Sequence, residues 1–540
     1  MLAWPDTKPP VIEVTRPQTA PVFARYSTIS RQWQSLIEPI LFKRLILNQH
    51  DMDCFGRTVT GPRTAFVQHI WLRIVLPAYD CKSCRKEESE EEIVSHNLDY
   101  TNAIWQLFGF LSSSAWNEKR HHSAKGITLE LSAHSLTDTA HFGKDLKMRS
   151  NDTAWGDKNE RRVWIPWLTH DDVLHDWQEG RKCRSVVPTG AKRRLFGPPR
   201  GLCLDRDASF VRLRGAELPE VNAIHALVIR RQFYRAFSIR KGLAKIFRSL
   251  PRLQELVYEP WRGPPADLCG LDGIPAVQND PSRPHAQLLY MDTARLTRDF
   301  DHMHFFSKVL SDKPNLKRVS IFEDVDDVFF DANPRTMADP KTYQPSSEIA
   351  RYLARLSQNL EELHASQNVD ANDFFASHSV LSGDERLEWK SLKYLSLTST
   401  RLPSLASRPN IGDSVICWAA KAAERMPRLE VMELWSSQRF GFATIFRFER
   451  RERQPRIQLL STRPSHLTEI EEAHWQRVVD HLYPGLGVWL EVEVTLLDMP
   501  TILGPASVID LLMLKDRVLH PVSLRQMHTE DQRRKVTYEL

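Results

Sequence analysis

Short apolar runs of strand length recur along the chain, and each follows a segment with the composition of a helix. The clearest example covers residues 419–434. Residues 419–426 are rich in Ala, Lys, Glu and Arg, which favour helix, and Pro427 ends the helix because proline lacks the amide donor. The apolar residues between Leu429 and Leu434 then predict a short buried strand. The pattern therefore predicts a helix–turn–strand unit.

Similar units recur upstream, and each carries an anchoring leucine. These leucines are Leu253, Leu316, Leu360, Leu392 and Leu429. They are 63, 44, 32 and 37 residues apart, whereas a regular leucine-rich repeat has roughly 20–29 residues. One helix–strand unit cannot bury its own apolar face, so successive units are expected to stack. We therefore predict the α/β class and an irregular leucine-rich-repeat-like solenoid over residues 48–436, with an insertion at about 140–200. The leucines should be core, and the binding surface should lie at the polar positions between them and in the insertions.

The two ends of the chain differ from this pattern. Residues 1–21 contain five prolines and no apolar core run, which predicts a disordered arm. Residues 437–540 combine strand-like segments at 442–448, 456–460 and 488–496 with a helical segment at 470–482, which predicts a C-terminal α/β cap and tail. The acidic run at residues 87–92 predicts a loop.

Residues 22–47 have a helical pattern that leads into a strand. Apolar residues fall at helical spacing and form one stripe, comprising Tyr26, Ile29, Trp33, Leu36, Ile37 and Ile40. Residues 45–47 then predict the first strand. In the simplest interpretation this helix caps the first strand of the solenoid.

Residues 27–36 followed by residues 41–45 resemble the C-terminal half of an F-box, with the N-terminal half missing or degenerate. Over residues 23–524 the chain resembles an F-box/leucine-rich-repeat-like family of filamentous fungi without assigned biochemistry. The segments that carry this resemblance are 67–77, 79–81, 103–108, 126–132, 394–399, 426–435 and 520–524. The resemblance implies a substrate receptor of a cullin-type ubiquitin ligase, which binds its target through the repeat face. It also implies that a Skp-type adaptor docks on Ile29, Trp33, Leu36 and Ile37.

Composition and charge set limits on function. The 73 basic and 68 acidic residues nearly cancel to a net charge of +5, whereas nucleic-acid-binding proteins show a clustered basic excess. The seven cysteines are scattered and no secretory leader precedes them, which favours a reducing compartment, cytoplasmic or nuclear. No apolar stretch of about 18 residues predicts a membrane span.

One C-x-x-C pair, Cys81 and Cys84, could contribute to a metal site. Zinc prefers four ligands in a tetrahedron, so the pair is half a site that Cys183, Cys203 or a nearby histidine would have to complete in space. A redox role would need a thioredoxin-like context that the sequence lacks. The pair is also compatible with an ordinary loop. The sequence by itself predicts no bound metal and no cofactor.

Three charged segments contain residue types that could take part in chemistry or in nucleic-acid binding. Residues 170–176 combine two histidines with three aspartates, which could bind a divalent ion or exchange protons but are typical of a solvated face. Residues 230–241 and 447–453 mix arginines with aromatic residues, as RNA-binding surfaces do. No phosphate-binding loop, dinucleotide fingerprint, nucleophile elbow or H-E-x-x-H motif is present. We therefore predict a non-enzymatic interaction protein. The alternatives are a repeat scaffold without a ubiquitin role and, third, a nucleic-acid binder.

Overall fold

The structure is a computed structural model of the 540-residue chain. It describes residues 13–14, 25–117, 126–142, 172–178, 181–182, 187–196, 201–204, 217–231, 235–261, 301–323, 346–380, 387–402, 414–437 and 441–538. Most of the predicted arm and of the predicted insertion at 140–200 lies outside these residues.

The chain divides into two compact units. Unit 1 comprises Met1–Asp157 and Arg193–Leu253, and unit 2 comprises Lys158–Lys192 and Gln254–Leu540. The narrower boundaries expected at residues 22, 48 and 437 stay predictions.

Unit 1 contains an open sheet whose described strands lie in chain order. β1 (Glu13–Val14) pairs antiparallel with β2 (Arg44–Leu47), so two residues of the predicted arm are a strand. β3 (His69–Leu76), β4 (Ile127–Ser135) and β5 (Ile224–Ile229) follow, each parallel to its predecessor. The central strands are almost entirely buried, as strands covered on both faces are.

The described helices of unit 1 lie between these strands and after the last one. They are α1 (Arg31–Leu41), α2 (Met52–Thr58), α3 (Glu90–Leu111), α4 (Ser114–Asn117), α5 (Thr189–Phe196, of which residues from Arg193 belong to unit 1) and α6 (Ala244–Arg248), which a π-helical turn (Ile239–Leu243) precedes.

A capping box begins α3. The Ser89 hydroxyl accepts a hydrogen bond from the Glu92 amide (3.2 Å), and the Glu92 carboxylate accepts one from the Ser89 amide (2.8 Å). The acidic residues also lie at the positive end of the helix dipole. The prediction that residues 87–92 form a loop is therefore wrong from Glu90 onward.

The strands of unit 2 also lie in chain order. They are β6 (Glu255–Tyr258), β7 (Arg318–Phe322), β8 (Glu362–Ser366), β9 (Tyr394–Thr398), β10 (Val431–Ser437), β11 (Ala443–Glu449), β12 (Arg456–Ser461) and β13 (Glu491–Leu496). β6 to β10 are parallel, β11 and β12 pair antiparallel, and β13 is parallel to β12. This is an open, mostly parallel sheet.

The described helices of unit 2 connect these strands and follow the last one. They are α7 (Ser347–Leu356), α8 (Ala371–Val380), α9 (Val415–Ala423), α10 (Glu469–Leu482), α11 (Pro505–Asp510), α12 (Lys515–Val518) and α13 (Pro521–Tyr538), with a π-helical segment at Phe305–Leu310. A short antiparallel pair, Trp177–Gln178 with Arg181–Lys182, also belongs to this unit.

One face of the unit 2 sheet is apolar and packs against α9 and α10. The Trp475 ring of α10 lies 5.2 Å from Phe446 and 4.9 Å from Phe448, centroid to centroid. The Trp475 indole nitrogen donates to the Ile416 carbonyl of α9 (3.2 Å). The anchoring leucines predicted from the sequence are confirmed as core, with exposures of 0–2% for Leu253, Leu316, Leu360, Leu392 and Leu429.

The opposite face carries a row of polar residues in register across the sheet. The row consists of Ser320, His364, Ser396, Glu433, Arg447, Gln458 and Glu493. Because successive side chains of a strand point to opposite faces, this row shares its face with apolar residues such as Trp435. Trp435 packs with residues from Ile502 to Met527 in one apolar cluster. The C-terminal helices α11 to α13 therefore cover this second face.

Glu433 connects the polar row to the C-terminal segment. Its side chain is 0% exposed, and it accepts a hydrogen bond from the Arg447 Nε (2.6 Å). It also accepts hydrogen bonds from the backbone amides of Met513 (2.9 Å) and Leu514 (3.1 Å), just before α12. The Arg447 guanidinium in turn donates to the Leu511 carbonyl (2.5 Å). The buried charges of Glu433 and Arg447 are thus hydrogen-bonded to the backbone of the C-terminal segment that covers them.

The prediction of a leucine-rich-repeat-like solenoid is wrong, although the α/β class is confirmed. The strands form open, mostly parallel sheets, and helices cover both faces of the sheet in unit 2. The polar positions between the leucines, such as His364 and Ser396, are 2% and 0% exposed. They pack beneath the C-terminal segment instead of forming a binding surface. Residues 441–538 extend the sheet of unit 2 through β11 to β13 and cover its second face through α11 to α13.

Among the described residues, no helix has both the length and the apolar character needed to cross a membrane.

Candidate protein-docking site

α1 carries the most exposed apolar surface of unit 1 among the described residues. The helix begins after Ser30, whose hydroxyl accepts a hydrogen bond from the Trp33 amide (3.3 Å). Ile29, Trp33, Leu36 and Ile40 are 61%, 47%, 68% and 61% exposed. Within α1, spacings of three and four residues place Trp33, Leu36 and Ile40 within about 60° of one another around the helix axis. Ile29 lies in the turn just before the helix.

Tyr26 extends this surface at its N-terminal end. Its ring is 42% exposed and lies 5.9 Å from the Trp33 ring, centroid to centroid. We name the five residues Tyr26, Ile29, Trp33, Leu36 and Ile40 the α1 stripe. Single exposed apolar residues are common, but a contiguous exposed set marks an interaction surface.

Polar residues border the α1 stripe. Arg31, Gln32 and Ser35 are exposed on the same helix. An apolar centre with a polar rim is the usual composition of a protein–protein interface. The α1 stripe therefore has both parts of such an interface.

A second face of α1 attaches the helix to unit 1. Ile37 and Leu41 are buried, at 4% and 8% exposure. Glu38 accepts hydrogen bonds from the Arg63 guanidinium (2.6 and 3.1 Å), and Arg63 also donates to the Thr58 carbonyl (2.9 Å). The Arg63 hydrogen bond outweighs burial and holds the pKa of Glu38 below its usual value. These contacts fix α1 in place while the α1 stripe faces solvent.

The predicted adaptor-binding residues are therefore divided between the two faces. Ile29, Trp33 and Leu36 lie on the α1 stripe, whereas Ile37 packs inside the unit and offers no surface to a partner. The set omitted Tyr26 and Ile40, although both are in the same helical pattern. Ile37 is buried and Ile40 is exposed because of how α1 packs in the folded unit. The spacing of apolar residues does not show which of the two the packing buries.

The C-x-x-C pair lies on the loop after β3. Cys81 is exposed and Cys84 is buried. The Cys81 Sγ lies 3.7 Å from the Nδ1 of His141, which follows β4. Sequence reasoning did not single out His141, because it lies 60 residues from the pair. Cys203 is half-buried and donates to the Gly201 carbonyl, and Cys183 lies outside the described residues.

The histidine- and aspartate-rich segment at 170–176 is described from Asp172 onward. His175 is buried, and its Nδ1 lies 2.7 Å from the Asp172 carboxylate. Asp176 has a positive φ of 62° and ends the helical turn in the left-handed region. These contacts form a local turn.

The basic segment at 230–241 contains both buried and exposed basic residues, and Arg240 and Lys241 are exposed. Arg230 is 4% exposed and its Nε donates to the buried Glu130 carboxylate (2.5 Å). Arg235 is 5% exposed and pairs with Glu88 and Asp138. These guanidiniums are therefore not available to phosphate groups.

The second basic segment, 447–453, is also paired in part. Arg447 is buried against Glu433, and Arg451 donates to Glu449 (2.8 Å). Arg450 donates to the Pro427 carbonyl (3.0 Å). Arg447 is therefore unavailable to a nucleic acid, whereas Arg453 is exposed, and the nucleic-acid alternative stays a prediction.

Comparison with known proteins gives a match in unit 2. Residues 311–520 match the model described as "Family of unknown function (DUF6546)". This segment begins before β7 and ends between α12 and α13, so it includes β7 to β13 and α7 to α12. No curated protein matches the chain significantly. The chain is thus similar, over these residues, to a family without an assigned activity.

Proposed function

We propose that this protein is a non-enzymatic substrate receptor, which docks through the α1 stripe onto the Skp-type adaptor of a cullin ubiquitin ligase. The observation that carries the proposal is the exposure of Trp33, Leu36 and Ile40 on one face of α1, with Ile29 exposed in the turn before it. This helix lies in the segment that resembles the C-terminal half of an F-box. In this role the chain positions a target, and other subunits transfer ubiquitin.

The α1 stripe has enough apolar area to support specific binding. Complete burial of one large aliphatic side chain stabilises a complex by about 1.5–3 kcal/mol. Trp33 is a residue type that often dominates binding energy when a partner covers it. Leu36 and Ile40, more exposed than Trp33, lie beside it on the helix. A partner with an apolar groove would cover all three.

The proposal places the protein in the cytoplasm or nucleus, which agrees with its scattered thiols. The unidentified target protein would bind away from the strand face of unit 2, because α11 to α13 cover that face. Loops between strands and helices are then the surfaces that would recognise it. No cofactor is required for this role.

The direct test is binding of the full chain to a purified Skp-type adaptor by calorimetry. We expect the double variant Leu36→Glu/Ile40→Glu to bind at least about 100-fold more weakly, since two apolar contacts of about 1.5–3 kcal/mol each are lost. The matched control, Ser113→Glu/Ser114→Glu, adds the same charge at exposed polar positions of unit 1 outside α1. It should bind within about threefold of the unaltered chain, on the scale where tenfold is about 1.4 kcal/mol.

Three outcomes would reject the proposal. The unaltered chain could show no affinity for the adaptor, or both double variants could bind equally well. The stripe variants could also change only self-association in light scattering, which would make the α1 stripe a surface between copies of this chain. Failure of adaptor binding would favour a scaffold without a ubiquitin role, in which Ile37, Leu41 and Glu38 make α1 an N-terminal cap of unit 1.

A further inference from the structure

The sheet of unit 2 ends at β13, a strand with an outward-facing edge. β13 pairs with β12 without a bulge, and no other described strand pairs with it. The amides of Glu491 and Leu497 both donate towards β12, to the carbonyls of Pro455 (3.0 Å) and Ser461 (2.8 Å). Alternate residues of a strand direct their backbone groups to opposite sides. The backbone amides and carbonyls of residues 492, 494 and 496 therefore point away from β12.

The side chains of the same three residues continue an apolar face of the sheet to its edge. Val492 and Val494 are in register with Ile457 and Leu459 of β12, which are 0% exposed and share their face with the aromatic residues that α10 covers. Val494 itself is 49% exposed and Leu496 is 65% exposed. An edge strand that presents both apolar side chains and backbone groups is a template for another strand.

The charges of β13 are paired within unit 2. Glu493, on the opposite face of the strand, accepts hydrogen bonds from Arg456 and from Gln458 (3.0 Å). The Arg451 guanidinium lies 3.9 Å from the Glu491 carboxylate. β13 also contains no lysine and no proline, the residues with which natural edge strands commonly resist pairing. The edge therefore lacks the usual features that keep a second strand away.

We propose that β13 pairs antiparallel with β13 of a second copy of this chain, about a two-fold axis at Val494, so that the sheets of the two copies become continuous. In this register the Val494 amide and carbonyl bond to the partner's Val494, and those of Val492 bond to the partner's Leu496. About six backbone hydrogen bonds form in this way. On one face of the joined sheet, the apolar side chains of the two strands lie opposite one another.

The charges of β13 select this register. Residues directly opposite in an antiparallel pair present the same side of the backbone to each other, so the axis passes through a residue and not between two. An axis at Glu493 would place two glutamates directly opposite, which is destabilising. An axis at Val494 instead places Glu493 opposite Thr495 and Glu491 opposite Leu497. Of the two registers centred on the middle of β13, only the one at Val494 opposes no like charges.

Exposed apolar residues beyond both ends of β13 fit the same axis. Trp489 and Met499 are each five positions from Val494 and are 77% and 41% exposed. The symmetric pairing brings the Trp489 end of one copy to the Met499 end of the other. Gln476 of α10 fixes the backbone around Trp489, because its amide donates to the carbonyl of the preceding residue (2.9 Å) and accepts from the amide of the following one (3.0 Å). An exposed tryptophan on a fixed backbone often dominates an interface.

The oligomeric state of the full chain tests the proposal. Light scattering should give the mass of a dimer, which dissociates on dilution. Val494→Lys and Val494→Glu each place like charges opposite each other on the axis and should dimerise at least about tenfold more weakly. An equimolar mixture of the two should recover the dimer, because lysine then faces glutamate, and this recovery also shows that both variants are folded. Val94→Lys, the same change at an exposed valine of α3, should leave the dimer unchanged.

Disulfide formation tests the register. Val494→Cys lies on the axis, where the two Cα atoms of a hydrogen-bonded pair are about 5.5 Å apart, a distance that a disulfide spans. Thr495→Cys would face the partner's Glu493, and its diagonal distance to the second copy of itself is about 7–8 Å, which is too long. Mild oxidation should therefore crosslink Val494→Cys above the level of the unaltered chain, and Thr495→Cys should stay at that level.

Four outcomes would overturn the proposal. They are a monomer at all concentrations, a dimer that Val494→Lys and Val494→Glu both retain, equal crosslinking of the two cysteine variants, and a dimer that only Leu36→Glu/Ile40→Glu abolishes, which would place the contact at the α1 stripe. In a monomeric chain, slow hydrogen exchange at the Val494 amide would mean that another segment of the same chain pairs with the edge. The inference is independent of the proposed function, because Val494→Lys should bind the Skp-type adaptor as the unaltered chain does.

Discussion

Leu36 and Ile37 are adjacent in α1, yet 68% of Leu36 is exposed and only 4% of Ile37. We predict that Ile37→Ala lowers the free energy of unfolding by about 2–5 kcal/mol, because it leaves a cavity in the core. Leu36→Ala should change it by less than about 0.5 kcal/mol. Urea unfolding of the two variants, followed by circular dichroism, measures both values. Equal destabilisation by the two variants would contradict the burial of Ile37 and the exposure of Leu36.

The buried pair of Glu433 and Arg447 should be essential for stability. Removing one partner of a buried ion pair costs about 3–5 kcal/mol, because the other charge remains in a medium that cannot solvate it. We therefore expect Glu433→Ala to unfold at a much lower urea concentration. The control is Glu255→Ala, which breaks an exposed pair with Arg318 and should cost no more than about 1 kcal/mol. Similar losses in the two variants would contradict the burial of the Glu433 pair.

The covering of the sheet by the C-terminal segment can be tested at two neighbouring residues. Leu512 is 3% exposed against the Trp435 cluster, whereas Met513 is 49% exposed. We predict that Leu512→Asp opens the segment, because a carboxylate in an apolar core is unsolvated. Hydrogen exchange should then accelerate in β8 to β10, and an apolar dye should bind. Met513→Asp should change neither hydrogen exchange nor dye binding. If Leu512→Asp also changes neither, the C-terminal segment does not cover this face of the sheet.

His134 should make stability dependent on pH. Its side chain is 5% exposed, and burial, with the charges of Arg73 and Arg235, lowers its pKa to about 3. Its pKa in the unfolded chain is about 6.5. Between these values the unfolded state binds the proton and the folded state does not, so its contribution is complete above about pH 6.5 and declines as the pH falls towards 3.

The loss from His134 at pH 5 should be about 2 kcal/mol, at about 1.36 kcal/mol for each pH unit below 6.5. The free energy of unfolding of the unaltered chain should fall between pH 7.5 and pH 5. In His134→Gln we expect this fall to be smaller by about 2 kcal/mol, because the residue that binds the proton on unfolding is absent. His50→Gln, at an exposed histidine, should keep the full drop. If His134→Gln also keeps the full drop, His134 is solvated in the folded protein.

The individual elements of the fold were largely predictable from local pattern. The strands expected at 45–47, 442–448 and 456–460 correspond to β2, β11 and β12. An apolar run of strand length indicates a buried strand, and a stretch of helix-forming residues before a turn indicates a helix. The loop assigned to residues 87–92 was an avoidable error, because Ser89 and Glu92 have the spacing of a capping box.

The solenoid prediction failed for a different reason. Alternation of polar and apolar residues in β8 to β10 is typical of strands with one solvent-facing side. Here His364, Ser396 and Glu433 face a covering segment, and Glu433 is satisfied by backbone amides about 80 residues further along the chain. Hydrogen bonds between residues so far apart in the chain leave no local pattern in the sequence. The same limit applies to His141, whose relation to Cys81 comes from the parallel pairing of β3 and β4.

The closing contacts of unit 2 have a consequence for synthesis on the ribosome. The Ser320 hydroxyl bonds to the Val518 carbonyl over 198 residues, and the Ser523 hydroxyl bonds to Glu259 over 264 residues. Translation proceeds at about 5–20 residues per second, so β7 leaves the ribosome at least about 10 seconds before α12 is made. During that interval Phe322 and Trp435 lack their cover. A nascent chain of this protein should therefore be a client of chaperones until its last helices emerge.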